Sequence, residues 1–128
     1  LSLRHLMTVI HSRDTWMHRL DICRATSRPF EQTAGQDGRI AALVMLDVEK
    51  ALRNKLGGKS ILFDLSGTAG GTWLIGQGEP TAIVQMDVLE FNIFVSGRNH
   101  LDQALSFAAI TGDHNFATQA LKNLLILF

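Results

Sequence analysis

The spacing of apolar residues changes abruptly near Gly57-Gly58, and this change limits the fold more than any other feature of the chain. Before the glycine pair, apolar side chains recur every three or four residues, as they do on one face of an α-helix. After it, residues 60–65 (SILFDL) alternate apolar and polar side chains, as a half-buried strand does. Helices followed by strands predict an α+β architecture in which helices cover a sheet.

Two long helices are predicted in the first half of the chain. The first, over residues 2–25, contains no proline or glycine and ends near Pro29, because the residue before a proline is pushed out of the α region. A polar link over residues 30–38 leads to a second helix over residues 39–56. The glycine pair ends this helix in the usual C-terminal manner.

The second half is predicted to form a small antiparallel sheet with helices on one face. Three strands, over residues 60–65, 72–76 and 81–85, form a meander with a glycine-rich turn between the first two. Asp87 is a good N-cap for a helix that runs through Val95. Residues 104–110 fit a helix or a strand, and a last helix is predicted over residues 113–125.

Composition narrows the classes of function. The twelve basic and twelve acidic residues cancel, so no strong field would attract nucleic acid or an anionic membrane. No apolar run approaches the roughly 20 residues needed to cross a bilayer. A single cysteine, Cys23, excludes an intramolecular disulfide and fits a reducing compartment. We therefore expect a cytoplasmic protein with no nucleic-acid partner and no membrane partner.

Three potential metal ligands lie on the first predicted helix. His11, Asp14 and His18 are separated by three and four residues, which places them within about 60° of one another on one helix face. One helical turn between Asp14 and His18 allows an oxygen and a nitrogen to bind the same divalent cation, and Asp21 could orient His18. The alternative is a weak surface pair of about 0.3–0.5 kcal/mol.

The residues around this pair resemble a known family. Residues 13–25 read RDTWMHRLDICRA and are followed by Arg28-Pro29. This run is similar to the last bundle helix of the mycothiol-dependent maleylpyruvate isomerase family, which has a DinB-like metal-binding four-helix bundle. The segments FDLSG, GGTW, SGR and GD, at residues 63–67, 70–73, 96–98 and 112–113, are similar to the family's sterol-carrier-like C-terminal domain. The resemblance predicts a bundle-type helix over residues 1–30 and a sterol-carrier-like α+β domain over residues 31–128.

The resemblance implies a metal- and thiol-dependent isomerase or transferase that acts on a small-molecule substrate. In the family, the spacing [DE]-x-x-x-H supplies two of three protein ligands to a divalent metal, usually zinc, and this spacing falls on Asp14 and His18. The metal binds and acidifies mycothiol, and the thiolate then adds to an activated carbon. Arg98 is the candidate catalytic residue that would bind a substrate carboxylate, with a helix-capping arginine as the alternative.

The sequence departs from the family because the three helices that precede the last bundle helix are missing. The resemblance therefore implies an N-terminally truncated chain that lacks the third ligand unless His5, His11 or a symmetry partner supplies it. The first helix and the helix over residues 39–56 could pack as a pair across a two-fold axis and rebuild a bundle, since Leu3, Leu6 and Ile10 otherwise expose an apolar stripe. We therefore expect a homodimer.

The alternative function is a noncatalytic, sterol-carrier-like module that binds lipid or dimerises. Four aromatic residues are most simply core residues, but would line a lipid tunnel in that case: Trp73, Phe91, Phe94 and Phe107. Cys23, close to Arg19 and Arg24, is more simply a buried small residue than a nucleophile. The glycines of residues 67–71 lie between two predicted strands and indicate a hairpin connection, not a phosphate loop.

Overall fold

The computed structural model describes residues 2–124 and confirms the α+β class. The helical elements are α1 (Leu3–His5), a π-helical segment (Leu6–Ile10), α2 (His11–Ala25), α3 (Gln36–Leu52), α4 (Val88–Val95), α5 (Leu101–Phe107) and α6 (His114–Lys122). The strands are β1 (Ile61–Ser66), β2 (Gly71–Ile75), β3 (Ala82–Asp87) and β4 (Ala109–Gly112). Within residues 2–124, every helix is too short or too polar to cross a lipid bilayer.

The first three helical elements follow one another without a break, and we call them together the N-terminal helix. His5 and Ile10, which join the elements, both have right-handed helical backbone angles. The helix ends as predicted before Pro29. Ser27 takes a positive φ of 55°, and the Arg28 N–H donates to the Cys23 carbonyl at 2.8 Å. These are the features of a left-handed helix end.

Helix α3 begins three residues earlier than predicted and ends four residues earlier. It includes Asp37 and Gly38, which the sequence pattern had assigned to a polar link. Ile40, Val44 and Val48 lie one turn apart and are buried, so this face of α3 packs against the core.

The sheet is mixed, with strand order β2-β1-β3-β4. Strand β1 pairs with β2 in antiparallel orientation and with β3 in parallel orientation, and β4 is antiparallel to β3. The predicted antiparallel meander is therefore wrong at β3. The glycine-rich turn does connect the antiparallel strands β1 and β2, which confirms the hairpin interpretation of residues 67–71.

The parallel pairing arises because residues 76–81 cross the beginning of β1 instead of turning back beside β2. Thr81 N–H donates to the Ser60 carbonyl at 2.8 Å, and Ser60 Oγ donates to the carbonyls of Gly78 and Glu79 at 3.2 and 3.0 Å. The crossing requires glycine at position 76. Its φ is +96°, and a Cβ there would lie 2.5 Å from the Lys59 carbonyl oxygen.

Aspartate side chains cap the N-termini of helices α4 and α6. Asp87 Oδ1 accepts hydrogen bonds from the Leu89 and Glu90 N–H groups at 2.8 and 3.2 Å, which confirms this N-cap. Residues 101–112 contain both a helix, α5, and a strand, β4. Asp113 caps α6 by accepting from Phe116 N–H at 3.0 Å. The predicted end of that helix at residue 125 lies outside the described residues.

The hydrophobic core lies on the helix-covered face of the sheet. Alternate residues of β1, among them Ile61 and Phe63, are buried, and the rings of Phe63 and Phe91 are 5.3 Å apart between centroids. Met17 and Leu20 of α2 belong to the same cluster of buried residues. The core thus continues across residue 30, where the family resemblance divides the chain, and that division stays a prediction.

Candidate metal-binding site

Asp14 and His18 lie one turn apart on the exposed face of α2. The distance from Asp14 Oδ1 to His18 Nε2 is 3.4 Å, and the side chains are 48% and 66% exposed. An N–H···O hydrogen bond is usually 2.7–3.2 Å long. Ligand bonds of 2.0–2.1 Å in a tetrahedral zinc site place neighbouring ligand atoms about 3.3–3.4 Å apart. The pair therefore has the donor atoms and the spacing of two zinc ligands.

His11 does not extend this pair to a three-residue cluster. It lies on the rim of a groove of about 380 Å³ between α2 and α3, which Arg19 and Arg39 also line. Across residues 2–124, no three histidine, cysteine or acidic side chains are grouped so that they could hold one metal ion. The N-terminal helix of one chain thus contributes two potential ligands.

Asp21 has a different partner from the one expected. Arg98 Nε donates to Asp21 Oδ1 at 2.9 Å, and Arg98 Nη2 donates to Oδ2 at 2.8 Å. These hydrogen bonds lower the pKa of Asp21 although burial opposes them, and the charges of His18 and Arg24 lower it further. Both carboxylate oxygens of Asp21 accept from Arg98, so the geometry does not support Asp21 as the residue that orients His18.

Arg98 combines two structural roles. Its backbone closes α4, because Gly97 N–H donates to the Phe94 carbonyl at 2.9 Å and Arg98 N–H to the Ile93 carbonyl at 3.1 Å. Its side chain extends to α2, where the pairing with Asp21 raises the pKa of Arg98. A substrate carboxylate would have to compete with Asp21 for the Nε and Nη2 donors of Arg98.

A buried carboxylate, missed by the sequence interpretation, fixes the beginning of α3 to α2. Asp37 is 1% exposed and accepts hydrogen bonds from Trp16 Nε1 at 2.6 Å, Arg19 Nη2 at 2.8 Å and Thr33 N–H at 2.6 Å. Burial alone would raise its pKa, but these donors and the charge of Arg19 lower it. Phe30 completes the cluster, with its ring 5.3 Å from that of Trp16 and 4.4 Å from the Arg19 guanidinium carbon.

A second buried charge, Arg13, was also missed. Its guanidinium is buried and contacts the Asp47 carboxylate of α3, which Lys50 Nζ approaches to 3.6 Å. Position 13 lies three and seven residues before the buried Trp16 and Leu20, so helical spacing already placed it on the core face. Arg13 and Trp16 therefore fix the rotation of α2 and leave Asp14 and His18 facing outward.

A wider cleft of about 550 Å³ lies between α2, α4 and α5. Arg24 and Arg28 line it together with apolar side chains that include Leu89 and Phe107. Phe107 is 54% exposed, so its assignment to the core is wrong. Cys23 also lines the cleft and is partly exposed, not fully buried as expected.

No family model matches the chain, and no curated protein matches it.

Proposed function

We propose that this chain is a metal- and mycothiol-dependent protein of the maleylpyruvate isomerase type, and that Asp14 and His18 hold its divalent metal. The observation that carries the proposal is the 3.4 Å separation of Asp14 Oδ1 and His18 Nε2 on an exposed helix face. A carboxylate oxygen and an imidazole nitrogen are both usual ligands of zinc, which is therefore the proposed metal. The resemblance over residues 13–25 supplies the reaction class.

When bound, zinc would lower the pKa of a coordinated low-molecular-weight thiol and so make thiolate available at neutral pH. The chain's own residues hold the ligands in place. Arg13 and Trp16 anchor the opposite face of α2 in the core, so the two ligands keep a fixed orientation. Rotamer freedom of the two ligands is then the main motion that metal binding has to suppress.

Arg98 is proposed to bind the negative charge of the substrate. The negative charge of Asp14 contributes to the raised pKa of Arg98, so the guanidinium lies within electrostatic range of the metal ligands. A carboxylate that displaced Asp21 would meet the same two parallel donors, Nε and Nη2, that now bind Asp21. Asp21 would thus hold Arg98 in position until an anionic small molecule replaces it.

Zinc retention by variants tests the proposal. The chain is loaded with zinc, dialysed and analysed for metal, and we expect zinc to stay with the wild type and to be lost in Asp14→Ala and His18→Ala. Asp102→Ala and His114→Ala are matched controls, since both residues are exposed on other helices and should leave zinc binding unchanged. Wild-type retention in both ligand variants would refute the metal site. A low-molecular-weight thiol added to the zinc-loaded wild type should show thiolate absorbance that is absent from His18→Ala.

The cleft between α2, α4 and α5 favours a second candidate function, a noncatalytic lipid-binding module. Its apolar side chains suit an acyl chain, and Arg24 and Arg28 suit an anionic head group. Under this function, mass spectrometry of the purified protein should find bound acyl chains, and Asp14→Ala should retain them. Arg24→Ala with Arg28→Ala should lose them. If purified protein carries no lipid and binds none added as vesicles, this function is excluded.

A further inference from the structure

The groove between α2 and α3 is lined by cationic side chains and plays no part in the proposed function. Its volume of about 380 Å³ is at the small end of the range for ligand sites, about 300–1,000 Å³. Arg19 of α2 and Arg39 of α3 both line it, and within residues 2–124 no aspartate or glutamate does so. An anion in the groove would therefore meet cationic donors without a carboxylate beside it.

Arg19 is held in position before any ligand binds. Its Nη2 donates to Asp37 Oδ1 at 2.8 Å, and its guanidinium carbon lies 4.4 Å from the centre of the Phe30 ring. These two contacts fix the plane of the guanidinium, so a ligand does not have to order it. The side chain is 41% exposed and bonds to Asp37 through one nitrogen, so further N–H donors remain for an anion.

Arg39 supplies the net positive charge of the groove. The carboxylate of Asp37 offsets the charge of Arg19, but Asp37 is 1% exposed and is not part of the groove lining. Arg39 is exposed, and no residue that the structure describes offers it a carboxylate within ion-pair distance. A guanidinium binds a carboxylate or a phosphate through two parallel hydrogen bonds, so Arg39 is suited to such a group.

The rest of the lining selects an anion with an apolar end. Trp16 and Ile40 contribute an indole ring and an aliphatic side chain to the groove. Ligand sites of this kind combine apolar walls with a few polar groups that fix the orientation of the ligand. The wider cleft between α2, α4 and α5 is less suited to a small anion, because Glu90 lines it together with Arg24 and Arg28.

We propose that the groove between α2 and α3 is a binding site for a small organic anion. Arg19 and Arg39 bind its carboxylate or phosphate group, and Trp16 and Ile40 contact its apolar part. The site uses neither of the two proposed metal ligands, so it goes beyond the proposed function and does not depend on bound metal. Loss of zinc binding would leave this site standing, and absence of the anion site would leave the metal site standing.

Calorimetry with metal-free protein tests the site. Phenylacetate and phenyl phosphate are the anionic probes, and benzyl alcohol is the uncharged control, all at one ionic strength. We expect one anion to bind per chain and the alcohol to bind at least about tenfold more weakly. The probe that binds more tightly identifies the anionic group as a carboxylate or a phosphate. Absence of binding by both anions in the millimolar range, or equally tight binding of the alcohol, overturns the proposal.

Arginine variants locate the bound anion. Arg39→Ala should weaken binding by at least about tenfold, and Arg39→Lys, which keeps the charge but loses the bidentate geometry, should weaken it less. Because Arg39 is exposed and outside any ion pair with a described residue, both variants should fold. Arg24→Ala, in the wider cleft, and Arg53→Ala, in the turn after α3, remove the same charge elsewhere and should stay within about twofold of the wild type. Unchanged binding in Arg39→Ala, or an equal loss in Arg24→Ala or Arg53→Ala, overturns the assignment to this groove.

Discussion

Removal of the Asp37 carboxylate should be one of the most destabilising single changes in this chain. Asp37 is 1% exposed and accepts from Trp16, Arg19 and the Thr33 backbone. Truncation of one partner in a buried charged network costs about 3–5 kcal/mol. The Arg19 side chain is 41% exposed, so its ion pair contributes little, and most of the loss comes from Trp16 and Thr33. We expect Asp37→Ala to lower the free energy of unfolding by about 3 kcal/mol.

Asp37→Asn removes the charge of this side chain but nearly keeps its shape. The amide keeps one acceptor oxygen and nearly the same volume, so the expected loss is smaller, about 1–2 kcal/mol. Urea unfolding followed by far-ultraviolet circular dichroism gives both values, and an unchanged slope with urea concentration shows that the unfolded state is comparable. Asp102→Ala, on an exposed position of α5, is the control and should stay within about 0.5 kcal/mol of the wild type.

The same carboxylate makes stability depend on acid pH. The folded pKa of Asp37 is lowered from its ordinary value of 3.8, so its contribution is fully present above that pH and is lost as the pH falls through the folded pKa. The Asp37→Asn variant should therefore lose less stability than the wild type between neutral pH and acid below 3.8. A loss under about 1 kcal/mol in Asp37→Ala, or identical acid profiles for wild type and Asp37→Asn, would refute this reasoning.

Three further predictions follow from the crossing loop and from the ion pair beside the site. Gly76→Ala should lower the free energy of unfolding, measured in urea, by at least about 1 kcal/mol more than Gly78→Ala does. Both glycines have positive φ, but only at position 76 would a Cβ lie 2.5 Å from a backbone oxygen. Equal losses would contradict the crossing. Asp21→Asn should lower the free energy of unfolding by about 1 kcal/mol or less, since the side chains of Asp21 and Arg98 are 40% and 29% exposed. Because the folded pKa of Asp21 is lowered, this loss should vanish as the pH falls below 3.8. Arg98→Ala should tighten zinc binding by about two- to fivefold in calorimetry, because it removes a nearby positive charge. Arg98→Lys keeps the charge and should leave zinc binding unchanged. Weaker zinc binding by Arg98→Ala would contradict this prediction.

Local signals in the sequence were sufficient to predict the two long N-terminal helices and the beginning of α4, although α3 begins three residues earlier than predicted. The change of apolar period near residue 57 separates helices from strands, and Asp87 begins α4 because its side chain satisfies N–H groups of the first helical turn. The end of α2 before Pro29 also follows from a local signal, because the residue before a proline is pushed out of the α region. The spacing of Asp14 and His18 also predicts that they share one helix face, and the structure agrees.

Contacts between distant segments could not be predicted in the same way. A short link between two strands usually indicates a hairpin, and the crossing over β1 is seen only in the parallel pairing of β3 with β1 and in the hydrogen bond from Thr81 to Ser60. Asp37 lies in a polar stretch, and its burial depends on Trp16 and Arg19 of another helix. Arg98 was correctly placed at a helix end, but its pairing with Asp21 joins residues far apart in sequence.

Zinc K-edge X-ray absorption of the zinc-loaded chain, measured without added thiol, tests the central claim most directly. Coordination by Asp14 and His18 predicts nitrogen and oxygen neighbours at about 2.0–2.1 Å and the outer-shell scattering of an imidazole ring. The imidazole contribution should disappear in His18→Ala. A sulfur neighbour at about 2.3 Å, which only Cys23 or a methionine could supply, or a spectrum unchanged in His18→Ala, would contradict the account.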